Sequence, residues 1–337
     1  MPTTSPAAAL GVVFHGPNDV RTEELPQPPV GPTDVLLDVE ACGVCGSDLS
    51  SYAHGHYVEA GQVMGHELSA TLAAVGEELE GLRVGQRVAV RPMRSCGTCA
   101  YCVEGDTHLC GATAGRSLGY GAQGAFAQQL HMPDVEVGRD LVPVPDHVDS
   151  FDLLWAEPLA VALHAVRLAG GAANRRVLVT GAGAVGLAVT GAAIALGIEV
   201  DVVEPVAQRR AAARGLGASA WSPGELADVP VFDALLDASG APVAVTSALQ
   251  LLAPTAPIVL VGLNDAAVPW PAGAHRVTGS FGYVDTDFAE SVELIVAGRV
   301  SLGAMVTHRY SLDEADRALT APRLGDDVVK AAIVPRS

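Results

Sequence analysis

Arg176-Val-Leu-Val-Thr-Gly-Ala-Gly-Ala-Val-Gly186 is the stretch whose reading decides the fold. Arg176 to Thr180 is a short apolar run of strand type, and the glycine pattern that ends it opens an Ala- and Leu-rich helical segment. In such a strand, turn and helix, Gly181 permits the tight turn, Gly183 lets backbone approach a pyrophosphate, and Gly186 lets helix and strand pack closely. Ala184 and Val185 then belong to the helix N-terminus, where backbone N–H groups and the helix dipole favour phosphate. A glycine pattern alone marks only a tight turn. Here the next strand, Val200-Asp-Val-Val-Glu204, ends in a carboxylate placed to accept hydrogen bonds from an adenosine ribose diol. Glu204 repels a ribose 2′-phosphate, so NAD is expected over NADP, although Arg209 and Arg210 just beyond it could attract one.

Outward from this turn, Phe232-Asp-Ala-Leu-Leu-Asp237 and Ile258-Val-Leu-Val261 read as further parallel strands, each reaching a polar or Gly residue at its carboxyl end, where ligands collect in such sheets. This α/β half is a doubly wound parallel sheet. From Val12 to about Val144 the pattern is different: short β-type runs such as Asp34-Val-Leu-Leu-Asp-Val-Glu40 and Val84-Gly-Gln-Arg-Val-Ala-Val90 lie between Gly and Pro punctuation. At 337 residues the chain suits two cores rather than one. The expected division is a β-rich domain of residues 1–158 and 282–337 and a coenzyme domain of residues 159–281.

The chain carries 20 basic against 38 acidic side chains, a formal net charge of −18. That field repels phosphate backbones and anionic lipid, so no nucleic acid and no membrane are expected as partners. Met1 to Leu10 reads as a Pro/Thr/Ala tail without a charged-then-apolar leader, and charged residues or Gly break the longer apolar stretches; a soluble, cytoplasmic protein is expected.

Six cysteines in a secreted miniprotein would suggest three disulfides, but these are clustered. Cys96-Gly-Thr-Cys99-Ala-Tyr-Cys102, followed by Cys110, offers four thiolates in one loop, the number and softness of a closed tetrahedral zinc site. Four protein thiolates leave no position for substrate, so this zinc would be structural. A second set has the mixed donors of an open site: Gly43-Val-Cys45-Gly-Ser47-Asp48, then Gly65-His66-Glu67, then Glu157-Pro158. Singly, Cys45 reads as a small buried residue, His66 as a hydrogen-bonded histidine, and Glu67 or Glu157 as a surface charge. Their ordered occurrence upstream of a dinucleotide turn is what singles them out as catalytic candidates, because a zinc with an open position acidifies a bound hydroxyl. Asp48 is expected to accept a hydrogen bond from His66. Cys42 reads as structural, and His54 and His56 are weak candidates for substrate contact.

Together these residues resemble the zinc-containing medium-chain dehydrogenase/reductase superfamily from about Val12 to Val334. The resemblance implies a GroES-like catalytic domain and a Rossmann coenzyme domain, with Cys45, His66, Glu67 and Glu157 around a catalytic zinc and Cys96, Cys99, Cys102 and Cys110 around a structural one. Glu157-Pro-Leu-Ala-Val161 is more similar to the sorbitol and threonine dehydrogenase branches than to the liver alcohol dehydrogenases. The resemblance further implies that Val161, Val261, Gly262, Leu263 and Phe281 line the cofactor and that Lys330 sits near its pyrophosphate. It implies a homodimer or homotetramer. Where some members carry a proton-relay histidine, this chain has Ser50, and residues 51–62 fit no single branch; Tyr52 and Tyr120 are guesses as lining residues.

The function expected from these features is hydride transfer between a secondary alcohol (a polyol, cyclitol or amino alcohol) and NAD, its substrate proton leaving through Ser47 and the cofactor ribose to solvent. The rivals are a zinc-free enone or quinone reductase, which lacks both donor sets, and a non-catalytic NAD- and zinc-binding protein.

Overall fold

The computed structural model describes residues 8–173, 176–226, 231–262, 268, 270, 275–324 and 328–336. They form two compact units, one of residues up to Glu157 together with those from Val306 onward, the other Pro158–Met305.

In the second unit six strands lie in the spatial order Ser219–Trp221, Glu199–Val203, Arg176–Thr180, Ala234–Asp237, Ile258–Leu260 and Val277–Gly279. Every pairing is parallel, and counted along the chain the order is 3-2-1-4-5-6, the doubly wound Rossmann arrangement. A parallel sheet is covered on both faces, which is why Val177–Thr180 and Ala234–Asp237 are buried continuously instead of alternately. The Ala184–Ala195 helix is correspondingly apolar all round and buried from Gly186 to Ala193. The strand order reverses between Arg176–Thr180 and Ala234–Asp237, whose carboxyl ends are joined where Thr180 Oγ1 donates to Asp237 Oδ1 at 2.7 Å. Ligands of doubly wound sheets sit beyond such a reversal.

Residues 282–305, assigned from sequence to the β-rich domain, lie in this second unit. The Asp285–Val296 helix is fixed to the Ala156–Leu168 helix by Asp287, which is fully buried. Its carboxylate accepts from His164 Nδ1 at 2.9 Å and from the Val284 N–H at 3.0 Å, and it pairs with Arg167. A buried carboxylate requires partners of this kind, and they are on the neighbouring helix.

The first unit holds a two-stranded ribbon, Ala9–Gly16 with Asp19–Leu25, and a seven-stranded sheet. Its path runs Val306–Tyr310, Lys330–Ile333, Val35–Gly43, Glu67–Val75, Arg87–Val90 and Leu141–Pro143, with Gln129–Met132 also pairing with Val35–Gly43. Val35–Gly43 alternates buried and half-buried residues over most of its length, as a strand with one face on the core does. That core includes Val12, Phe14, Leu37, Phe126, Leu130 and Ile333. Strand pairing sets Gly43 opposite Glu67 on one neighbour and Ala332 on the other, so three distant parts of the chain meet at this glycine. Among the described residues no helix is long and apolar enough to cross a membrane.

Replacing Asp287 by Ala leaves the buried end of the Asp285–Val296 helix uncapped and removes one hydrogen-bond partner of His164. The expected cost is about 2–3 kcal/mol, with Arg167, half exposed, contributing least. Chemical denaturation followed by circular dichroism measures it; an unchanged midpoint would show that the two helices are held by packing alone.

Candidate functional site

The donor set from Cys96 to Cys110 is local. Its four Sγ atoms lie within 4.8 Å of one another, with Cys96 to Cys102 at 3.9 Å and Cys99 to Cys102 at 3.5 Å. A disulfide needs about 2.05 Å. Zinc with sulfur at about 2.3 Å in a tetrahedron places the sulfurs roughly 3.8 Å apart, which is the spacing seen. The Cys96 sulfur accepts from the Thr98 N–H at 3.5 Å, the Thr98 hydroxyl at 3.6 Å and the Cys99 N–H at 3.4 Å, and these donors bring its pKa down to about 5. The loop thus prepares a thiolate before any metal arrives. Behind it, buried Arg91 and Arg94 each donate to Asp140 at 3.0 Å, and Arg139 donates to Ser95 Oγ at 2.6 Å.

The second set gathers from separated elements. Cys45 precedes the Gly46–His54 helix, and His66 and Glu67 begin the Glu67–Val75 strand; their S, N and O donors lie within 4.8 Å of one another. Asp48 Oδ2 accepts the Cys45 N–H at 2.8 Å and so caps the helix, fixing where the Cys45 side chain stands. Its Oδ1 is 3.7 Å from His66 Nδ1, too far for the expected hydrogen bond. The carboxylate acts on the ring through its field instead, because capping the helix already fixes its position. His66 Nδ1 is buried without a hydrogen-bond partner among the described residues. Burial disfavours an imidazolium, but the Asp48 charge, then Cys45 and Glu157, outweigh it and hold the His66 pKa up at about 10.

Glu157 is half-buried in the first turn of the Ala156–Leu168 helix. It interacts electrically with His66, Glu67, Lys330 and Asp48, yet it does not join the group whose donors converge within 4.8 Å. Burial, chiefly, raises its pKa to about 7, with Glu67 and Asp48 adding to the effect. Ser47 Oγ shares a short hydrogen bond with Tyr120 OH, and that phenol is 3.3 Å from His66 Nε2, its ring 4.8 Å from the imidazole. Tyr52 does not line this region: it is buried and its hydroxyl donates to Asp316.

Lys330, expected beside the pyrophosphate, is buried in the first unit and paired with Glu67 Oε2, its ammonium 5.3 Å from the Trp155 ring centre. A Cβ on Gly43 would overlap both Glu67 Oε2 and the Lys330 stem, so only glycine fits between them. Sequence reasoning missed this pair, although a lone Lys in the apolar run Val328-Val-Lys-Ala-Ala-Ile333 was its signal.

In the second unit Gly181 adopts φ +88°, and a Cβ on Gly186 would overlap the Gly181 carbonyl. Nothing lies within 4 Å of where a Gly183 Cβ would be, and Gly183 is the N-cap of the helix that Ala184 and Val185 begin. Glu204 is buried, its carboxylate accepting from Ala182 N–H at 2.7 Å and Val206 N–H at 2.8 Å, so it fastens the glycine turn to its own strand end. Arg210 donates to the carbonyls of Glu204 and Pro205, and Arg209 is half-buried on the following helix. Val261 and Gly262 both donate N–H to the Asp237 carbonyl at 2.8 Å. Val161 is half-buried and Phe281 exposed; Leu263 lies outside the described residues.

Residues 31–146 match the alcohol dehydrogenase GroES-like domain family and residues 184–297 the zinc-binding dehydrogenase family. The chain is 30% identical to a probable D-xylulose reductase A of Neosartorya fischeri, over 97% of each protein. It is 30% identical to the sorbitol dehydrogenase of Bacillus subtilis, over 99% of each. A zinc-binding dehydrogenase of Sinorhizobium meliloti, solved with NADP, superposes with a TM-score of 0.88 at 26% identity, covering 98% of this chain and 100% of that one.

Any metal joining Cys45, His66 and Glu67 must displace protons, since ligands bind deprotonated and His66 holds its proton to about pH 10. Affinity at this set is therefore expected to rise with pH, by about tenfold per unit for each proton displaced, through the neutral range. Cobalt(II) absorption titrations between about pH 6 and 8 measure this, and a flat response would contradict the geometry.

Proposed function

Because the chain belongs to the zinc-dependent medium-chain dehydrogenase/reductase superfamily, we propose that it oxidises a secondary alcohol of a polyol, cyclitol or amino alcohol, transferring hydride to NAD. The observation that carries this reading is the convergence of three unlike donors, half-buried Cys45 with buried His66 and Glu67, with no fourth donor joining the group among the described residues. The names of the relatives, sorbitol dehydrogenase and D-xylulose reductase, support a polyol as substrate class.

Zinc held by these three residues would supply the Lewis acidity that lets a substrate hydroxyl lose its proton near neutral pH. The chain's own groups prepare the site for that event. Asp48 orients Cys45 and lends its charge to His66. Lys330 balances the Glu67 carboxylate, which would otherwise be buried beside Asp48 and Glu157 with no cation against it. The Ser47 and Tyr120 hydroxyls, already hydrogen-bonded to each other, stand ready to take the proton. Glu157, with a pKa near 7, exchanges a proton in the range where the enzyme works and orients a substrate hydroxyl. The Cys96, Cys99, Cys102 and Cys110 set would hold a second, structural zinc.

At the glycine turn Gly183, Ala184 and Val185 receive the pyrophosphate at a helix N-terminus. Glu204 keeps acceptor capacity beyond its two backbone bonds and meets the ribose diol, which favours NAD; Arg210, occupied by two carbonyls, is a poor partner for a 2′-phosphate. Val161, Val261, Gly262, Leu263 and Phe281 complete the cofactor's surroundings by family resemblance. We place the protein in the cytoplasm as a homodimer or homotetramer by family resemblance; the clustered cysteines suit metal binding better than disulfides.

Metal analysis joined to a screen of NAD reduction over polyols, cyclitols, amino alcohols and simple secondary alcohols tests the reading, with two zinc ions per chain expected. Cys45→Ala is expected to lose one zinc and at least ~1,000-fold in kcat, while NAD affinity stays within about threefold of the original. A variant with normal turnover would remove Cys45 from the mechanism; a wild-type protein that binds NAD but oxidises nothing would favour the non-catalytic rival.

A further inference from the structure

Most of the carboxylates buried among the described residues face a basic side chain. Glu67 pairs with Lys330, Asp140 with Arg91 and Arg94, Asp201 with Arg176 and Asp287 with Arg167, and Asp48 lies beside His66. Glu204 and Asp237 are the exceptions: among the described residues they have hydrogen bonds but no ion pair. Their placement is not scattered. They stand at the carboxyl ends of the two strands that flank Arg176–Thr180, so the glycine turn has a carboxylate without a counter-charge on either side.

Asp237 Oδ1 accepts from Thr180 Oγ1 at 2.7 Å, the Ser239 hydroxyl at 2.6 Å and the Ser239 N–H at 3.1 Å, and Oδ2 accepts from the Gly240 N–H at 3.3 Å. Both oxygens are acceptors, as in a carboxylate. Neutral donors of this kind satisfy its lone pairs and leave its negative charge in place. Close packing then holds that charge still. A Cβ on Gly181 would stand 2.9 Å from Ser239 Cα, and one on Gly262 would stand 2.4 Å from the Gly240 nitrogen. The Asp237 carbonyl meanwhile accepts the Val261 and Gly262 N–H groups, each at 2.8 Å. Three strand ends are thus locked around one carboxylate, whose field needs no rearrangement in order to act.

A dinucleotide lies across the strand reversal of a doubly wound sheet, one nucleotide over each half. Glu204 belongs to the half that takes the adenosine ribose, so the half that Asp237 opens takes the nicotinamide. We propose that the Asp237 carboxylate makes this site prefer the oxidised cofactor, an inference that rests on the dehydrogenase reading. The nicotinamide ring of NAD carries a positive charge and that of NADH carries none. A fixed negative charge therefore stabilises the first and is nearly indifferent to the second. Asp237 is buried behind Thr180 and Ser239, so it works through its field and through the turns it holds, not by touching the ring. The bias suits oxidation of an alcohol: the form that accepts hydride is held, and the neutral reduced form is the more easily released.

The test measures the dissociation constants of NAD and of NADH separately, by calorimetry and by NADH fluorescence, on the zinc-loaded full chain without substrate. Asp237→Asn keeps the shape of the side chain and removes its charge. It is expected to weaken NAD about five- to tenfold more than NADH, the scale of one charge acting across part of a protein interior. Asp237→Ser, a second neutral replacement that retains a hydroxyl, carries the same expectation and serves if the Asn variant does not fold by circular dichroism. Ser239→Ala loosens the turn but keeps the charge, so it should change both affinities by the same factor, to within about twofold. Parallel losses of NAD and NADH in the neutral variants would show that Asp237 only holds the turns, and unchanged affinities would show that its charge does not reach the ring. Either result overturns the proposal and leaves the dehydrogenase reading standing. A wild type that binds neither cofactor would overturn that reading and the proposal with it.

Discussion

The ion pair between Glu67 and Lys330 is the constraint around which the first unit is arranged. Three carboxylates, Asp48, Glu67 and Glu157, interact with one another in the same buried region, and an unpaired charge there would cost several kcal/mol. Lys330 offsets that cost, and its position has consequences well beyond the pair. It must enter on a strand that pairs with Val35–Gly43, so the chain returns after Met305 to place Lys330–Ile333 against Gly43 and Cys42. Gly43 must lack a Cβ, and Trp155 must present its ring to the ammonium. Sheet register, chain path and site electrostatics are here one requirement.

The two donor sets show opposite ways of making a metal site. Cys96 to Cys110 is built within fifteen residues, and its geometry is fixed by loop hydrogen bonds and by the Arg91, Arg94 and Asp140 cluster behind it. Such a set needs no other part of the chain to bring its sulfurs together. Cys45, His66 and Glu67 come from a helix start and a strand start, and they converge only because the sheet has formed. A site made this way inherits the rigidity of the core and is free to leave one coordination position unfilled.

The same difference explains what could be read in the chain before its structure. The glycine turn and the four-cysteine loop are local, with every participant inside a short window, and their glycine and sulfur spacings specify geometry directly. The doubly wound order likewise follows from strands that alternate with helices along the sequence. Long-range electrostatics were not legible in that way. The pairing of Lys330 with Glu67 was not legible because the two are 263 positions apart in the sequence and adjacent only through strand pairing. Asp48 looked like a hydrogen-bond acceptor for His66, but helix capping claimed it first. From sequence His56 reads only as a weak candidate for substrate contact; its hydrogen bond with Ser50 depends on left-handed backbone at Gly55 and Tyr57, and Tyr57 carries no sequence signature for it. Residues 282–305 went to the wrong unit because Asp287 reads as a surface acid unless His164 and Arg167 are known to face it.

The Glu67–Lys330 pair also distinguishes the two glutamates beside His66. Glu67 is buried with the Lys330 ammonium directly against it. Glu157 has no such partner within bonding distance among the described residues, and burial pushes it up to about 7. A metal that binds through such a carboxyl must first compete for its proton. One acid beside His66 thus has a cation directly against it and the other does not, so the two sit in different electrostatic surroundings.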